Sequence, residues 1–440
     1  MTLARFGGLM AAATLAGTVG AQAQQATLTI ATVNNGDMIV MQKLSPKFEQ
    51  ETGIKLNWVV LEENVLRQRV TTDIATKGGS FDVLTIGAYE TPIWGKQGWL
   101  LPLDDLGADY GYDDIIPQVK TGLSVNGKLY AAPFYAESSM TFYRKDLFEK
   151  AGITMPEGGA TYQQIAEFAD KLTDKKNGVY GICLRGKPGW GENMAFLTSA
   201  ANAFGGEWFN MQWQPQLTSE PWKKTIAWYL DVLKKDGPPG ATANGYNENR
   251  ALFSTGKCGM WIDATVTAGY LYDPKQSQVA DKVAFAPSPK TDQNPKASGW
   301  SWAWALGIPA GTKQADAAKK FVKWATSKDY VKMVGESEGW VVAPPGTRLS
   351  TYENDSYKKA APFADFVLKA IEAADPSHPT VQPVPYTGVQ FVAIPEFQGL
   401  GTTVGQNVAS ALAGQTTGDK ALTASQTAAE RVMKQAGYPK

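Results

Sequence analysis

The stretch TLTIATVNNGD, Thr27 to Asp37, sets the fold. The apolar run Thr27–Val33 predicts a strand, and it stops at Asn34-Asn35-Gly36-Asp37, a polar loop that opens a helix. That helix runs to FEQETG, where Gly53 can supply a left-handed C-terminal cap. IKLNWVVLEE (54–63) follows as a strand, and the helix after it carries Leu66, Val70 and Ile74 four apart, one apolar stripe to lay on a sheet. FDVLTIGAYE (81–90) is a third strand. Strand, loop, helix, repeated in this way, predicts an α/β fold with a mostly parallel sheet. Ligands on such sheets bind at the carboxyl ends of the strands, which here carry Asn34 and Asn35, Glu62 and Glu63, then Tyr89 and Glu90.

Further along, NGKLYAAPFYAESSMTFYRKDLFEKAGI (126–153) differs in kind: a strand reaches Tyr135, breaks at Ala136-Glu137-Ser138, and resumes through MTFYR into a helix. A second α/β series then begins. TYQQIAEFADKL is a helix whose Thr161 and Gln164 fit a capping box, GVYGICLRG a strand, EPWKKTIAWYLDVLKK a helix. KCGMWIDATVTAGY is a strand breaking at Asp263 into another helix, with Asp263 a candidate N-cap. Polar and aromatic groups again stand at the strand ends: Arg185 with Trp190, and Trp261 with Asp263. Two lobes with such ends facing each other describe a cleft.

Composition narrows the function. A chain of 440 residues is too long for one core, so two domains are expected. Lys plus Arg equals Asp plus Glu at 42 each, and no basic run stands out, which excludes the electrostatic footprint of a nucleic-acid binder. The opening MTLARFGGLMAAATLAGTVGAQAQ reads as a secretory signal peptide over residues 1–23, with Ala21-Gln22-Ala23 as the cleavage site. Its apolar run, Phe6–Val19, is shorter than the ~20 residues a membrane span needs. The mature protein is therefore expected to be exported, soluble and periplasmic.

Cys183 and Cys258 have no zinc-site spacing; an oxidising compartment permits a disulfide between them, and two inert core thiols are the alternative. His378 is the only histidine and lies between prolines in a surface loop, so any Ser-His-Asp, Cys-His or multi-histidine zinc chemistry would rest on that residue. No phosphate-binding or dinucleotide loop is present, and no cofactor or metal is expected. Paired carboxylates remain open, because 42 acids are present. Two classes stay live: a binding protein without chemistry, and a secreted glycoside hydrolase.

One further stretch carries the aromatic excess. In SGWSWAWALGIPA (298–310), Trp300, Trp302 and Trp304 alternate, so on a strand the three indoles share one face. The row is either buried strand or a platform on which the C–H face of a sugar or polyol stacks.

FDVLTIGAYETPIWGKQGWLLPLDDL, NGKLYAAPFYAESSMTFYRKDLFEKAGI, FSTGKCGMWIDAT and APPGTR (343–348) resemble the extracellular solute-binding proteins of ABC sugar importers, and among them the mannitol and sorbitol binders. The resemblance implies a two-lobed periplasmic-binding-protein fold, each lobe a mostly parallel sheet flanked by helices and joined by hinge crossovers. Lobe one is then residues 26–134 plus 303–340, and lobe two 135–302 plus 341–440. It implies a non-enzymatic, monomeric receptor that takes a small polyol or sugar in the cleft and docks transiently on a membrane permease. Relatives place a Gly-Trp pair against the sugar, which Gly299-Trp300 fits. Trp300 is taken as ligand-facing, Trp302 is open between both roles, and Trp304 is assigned to packing. Tyr135 and Glu137 fall on the crossover strand where relatives use an aromatic and an acid. Arg348 follows the loop where relatives carry an arginine, whose rigid fork suits adjacent hydroxyls. Gly87 departs from the pattern, since disaccharide binders carry an acid there; Tyr89 or Glu90 substitutes, or the pocket is built for a smaller ligand.

Overall fold

The computed structural model describes residues 26–292, 294 and 299–439, so the signal-peptide reading lies outside the described residues. Strand β1 spans Thr27–Val33, β2 Lys55–Leu61 and β3 Val83–Gly87. A short hairpin, β4 (Ser124–Val125) and β5 (Lys128–Leu129), precedes β6 (Ala131–Glu137) and β7 (Ser139–Arg144). Then follow β8 (Tyr180–Cys183), β9 (Cys258–Ala264), β10 (Val283–Pro287) and β11 (Trp302–Gly307). They form two main sheets, one five-stranded in the order β2-β1-β3-β11-β6 and one four-stranded in the order β10-β7-β9-β8.

Several local expectations hold. Gly53 caps its helix in the left-handed conformation at φ 71°, although Pro46 divides the single expected helix into Gly36–Leu44 and Pro46–Thr52. Thr161 and Gln164 form the capping box of helix Tyr162–Leu172. Leu66, Val70 and Ile74 are buried on helix Glu63–Thr76.

Each sheet is mostly parallel in strand direction, with one strand reversed. β1 pairs in parallel with β2 and β3, but β11 runs antiparallel to both β3 and β6. In the second sheet only β8 and β9 pair in parallel, while β7 is antiparallel to β9 and β10. The cause is the crossing chain. β1, β2 and β3 end at the cleft, as does β6, whereas β7 and β11 begin there after crossing from the other sheet and must run away from it.

The first crossing is a single residue, Ser138, between β6 and β7. It is held by Ser138 N donating to Thr265 Oγ1 (3.1 Å) and Thr265 N donating to the Ser138 carbonyl (2.8 Å). The return lies between β10 and β11, where Trp300 N donates to Ser139 Oγ at 3.3 Å and Gln390 bonds both backbone groups of Ser301. Cys183 and Cys258, the end of β8 and the start of β9, are joined by a disulfide with Cα atoms 5.8 Å apart.

Candidate functional site

Between the two sheets lies a cavity of about 340 Å³. Its walls come from the strand ends and loops of both: Asn34, Asn35 and Glu63 after β1 and β2, Tyr135 and Glu137 at the end of β6, Arg185, Trp190 and Glu192 after β8, and Trp300, Trp302 and Trp304 along the return. The lobes touch around it. Lys187 Nζ stands 2.7 Å from Glu62 Oε1, Asn64 donates to the Pro188 carbonyl at 3.2 Å, and Asn247 donates to the Asn34 carbonyl at 2.8 Å. This is the closed arrangement.

Two buried guanidinium groups organise the walls. Arg185 donates to both carboxylate oxygens of Asp263, at 2.8 and 2.6 Å, and to the Gly191 carbonyl at 2.8 Å, with Glu192 at 3.7 Å. Burial pulls its pKa down, but Asp263 outweighs that and holds it well above its ordinary value. Removing one partner from such a buried pair costs ~3–5 kcal/mol, because the other charge is left uncompensated. The Arg185 guanidinium carbon is also 5.5 Å from the centre of the Trp300 ring. Arg67 donates to Glu63 at 2.8 and 3.0 Å and to Glu90 at 2.7 Å, and lies 4.0, 5.0 and 4.7 Å from the rings of Trp190, Trp302 and Trp304. Each cation is thus fixed by acids and presented with aromatic faces.

Glu137 differs from the other acids. Its carboxyl makes no hydrogen bond among the described residues, and burial pushes its pKa well up, with Asp263, Glu63 and Asp37 adding and Arg185 opposing. A carboxyl held towards its protonated form can both donate to and accept from a hydroxyl. Glu192 is pushed up to about 8 by burial, with Glu63 adding and Arg185 and Lys187 opposing. Two indole N–H groups, of Trp190 and Trp300, are buried without a partner among the described residues, and so is one Arg250 nitrogen. Buried donors of this kind are normally satisfied, and all three residues border the cavity. Asn35 donates to the Tyr135 hydroxyl at 2.9 Å while its own carbonyl oxygen caps the following helix at Met38 N. Together the apolar indole faces and fixed donors and acceptors suit a compact, uncharged, polyhydroxylated molecule.

Nine expected site residues line the cavity: Asn34, Asn35, Glu63, Tyr135, Glu137, Arg185, Trp190, Trp300 and Trp302. Five are placed elsewhere. The Tyr89 hydroxyl is spent on the Ile394 and Pro395 carbonyls, and its ring packs 4.8 Å from that of Trp190. Glu90 holds Arg67 and accepts from Gly87 N at 2.9 Å. Trp261 is fully buried behind the wall, its indole N–H donating to Asp263 at 3.1 Å. Asp263 is not a helix cap: β9 runs past it to Ala264, the next helix starts at Thr267, and its carboxylate serves Arg185. Arg348, 1% exposed, turns its fork to the Thr326 and Gly111 carbonyls and to Asp114, away from the cavity. Trp304, assigned to packing, is buried yet also borders the cavity. His378 sits on the exposed loop, its Nδ1 2.9 Å from Asp375.

Sequence reasoning missed Arg67, Lys187, Glu192, Tyr246, Arg250 and Gln390. Arg67 left a signal, since it follows Glu63 by four residues and so shares its helix face.

Residues 35–332 match the family of bacterial extracellular solute-binding proteins, and the chain belongs to that family. It is 55% identical to a mannitol-binding protein of Pseudomonas aeruginosa over 432 residues, covering 98% of each chain. Among solved structures, an ABC transporter solute-binding protein of Agrobacterium vitis S4 with bound D-mannitol superposes with a TM-score of 0.93 at 64% identity, over 94% of this chain and 100% of that one. Another from Agrobacterium radiobacter K84, in complex with ribitol, gives 0.82 at 27% identity over 92% and 98%. The fold is the two-lobed one of these binding proteins. These relatives are binding proteins rather than enzymes, and the hydrolase alternative falls with that. Among the described residues, no helix is long and apolar enough to cross a membrane.

Proposed function

We propose that this chain is the polyol-binding component of a bacterial ABC importer, holding a linear hexitol such as D-mannitol between its lobes and handing it to a membrane permease. The observation that carries this is the cavity itself: about 340 Å³, walled by indoles and ringed by the polar groups of Arg185, Glu137, Glu63 and Asn35. That volume is near the lower end of small-molecule sites, which run from about 300 to 1,000 Å³. The mannitol named or bound in two of the relatives supports the same ligand class. In this reading the exported chain acts as a periplasmic monomer. Its two lobes, one built on the five-stranded sheet and one on the four-stranded sheet, pivot at the crossings near Ser138 and Trp300, and ligand shifts the population towards the closed form.

A thermal-shift screen over acyclic polyols, monosaccharides and oligosaccharides tests the assignment. A ligand at 100 times its dissociation constant stabilises by about 2.7 kcal/mol. Six-carbon polyols should give the largest shifts. Shifts confined to oligosaccharides would overturn the reading.

A further inference from the structure

One side chain fills the space above Gly87. Trp302 opens β11, and Trp304, two residues on, is the register partner of Gly87 on β3. The Trp302 indole leans over that glycine so closely that a Cβ on residue 87 would overlap its six-membered ring. Away from the cavity the indole is hemmed in by its neighbours. It meets Trp304 edge-on at 5.5 Å and Phe391 and Trp190 at 5.8 Å, with the Arg67 guanidinium 5.0 Å from its centre. It also borders the cavity. Gly87 and Trp302 therefore act as a pair: an indole in this position requires a bare backbone beneath it, and the bare backbone leaves the indole as the end wall. Arg67 lies against the ring and is paired with Glu90, which also holds Gly87 N.

We propose that Trp302, seated on the bare backbone of Gly87, is the length stop of the cavity, admitting one six-carbon chain and excluding a second sugar unit. This rests on the polyol reading above. Close-packed aromatic neighbours back the ring on the sides away from the cavity, so a rejected ligand would have to displace packed rings rather than water. A pyranose ring is comparable in size to the indole, so the space released by a smaller residue at 302 is of the right scale for one more unit.

The test uses the full chain and isothermal titration with two ligands: D-mannitol, and maltitol, a hexitol carrying one glucosyl unit. The wild type should bind mannitol and give no heat with maltitol. Trp302→Ala and the better-packed Trp302→Leu should bind maltitol measurably, lowering the preference for mannitol at least 100-fold. Gly87→Ala should weaken mannitol binding at least tenfold by pushing the indole into the cavity, and should have no further effect in the Trp302→Leu background. A purely structural role for the pair would not produce that cancellation, and melting temperatures identify which variants are folded. Two results overturn the inference: a folded Trp302→Leu that still excludes maltitol, or Gly87→Ala that binds mannitol as tightly as the wild type. A wild type that binds maltitol overturns it as well. A wild type that binds a small sugar in place of mannitol overturns the polyol reading alone, and the gain of maltitol binding in the variants still decides the length stop.

Discussion

The Tyr270 hydroxyl donates to Asp37 Oδ2 at 3.0 Å, joining a helix that follows β9 in the four-stranded sheet to one that follows β1 in the five-stranded sheet. The approach is close because residue 36 is glycine: a Cβ there would overlap the tyrosine ring. Arg250 lies 4.9 Å from the centre of the same ring. The contact belongs to neither sheet alone and bridges the two lobes.

Tyr270→Phe keeps the ring and removes the hydroxyl, leaving a buried carboxylate without its donor. The loss of about 1–3 kcal/mol falls on the closed form. Ligand affinity should drop by roughly tenfold with little change in the melting temperature of the ligand-free protein, measured by calorimetry. An unchanged dissociation constant would show that the contact does not bias closure.

Closure should also depend on pH. Burial pushes the Asp37 pKa from 3.8 up to about 6, with the Tyr270 hydrogen bond and Arg250 opposing. An open form whose Asp37 titrates near the ordinary value loses that proton first. The closed form is therefore favoured at low pH, and the advantage is lost as pH rises through about 6. Glu192, raised to about 8 partly by Glu63 from across the cleft, extends the loss upward. Affinity for an uncharged polyol should fall by about tenfold or more between pH 5 and pH 8, since a tenfold difference in proton affinity between the two forms is worth about 1.4 kcal/mol. Glu192→Gln should flatten the upper half of that profile.

The row of tryptophans separates by function. Trp300→Phe preserves a flat ring but removes the buried indole N–H that has no protein partner among the described residues. It should weaken binding by about 1–3 kcal/mol and leave the melting temperature nearly unchanged. Trp304→Ala, in a ring contact 5.5 Å from Trp302, should cost about 3–5 kcal/mol of stability instead. Dissociation constants and melting curves taken side by side distinguish the two.

The disulfide Cys183–Cys258 closes 75 residues of chain, which in the chain-entropy picture restricts the unfolded state by about 4 kcal/mol. Neither cysteine borders the cavity. The double variant Cys183→Ala/Cys258→Ala should melt several degrees lower and still bind ligand normally when folded.

Local signals in the sequence are strong where the cause is local. The strand Thr27–Val33, the capping box at Thr161 and the glycine cap at Gly53 depend on neighbours along the chain, and each appears where those neighbours predict it. The antiparallel insertion of β11 between β3 and β6 is illegible, because it joins segments more than 160 residues apart and no periodicity records the direction of a crossing strand. The same limit governs the site. Polar strand ends locate the cleft, but which polar group faces inward depends on distant partners: Glu90 and Asp263 are consumed by Arg67 and Arg185, and Arg348 is held by the Thr326 and Gly111 carbonyls. Arg67 itself is hidden beside an apolar helix stripe.

Titration of the chain with D-mannitol in a calorimeter, at several temperatures and with maltose as control, addresses the central claim most directly. One saturable site per chain with a negative heat-capacity change, and no heat from maltose, is the expected result for a small closed cavity burying apolar faces. Heat from maltose with none from any five- or six-carbon polyol would contradict it.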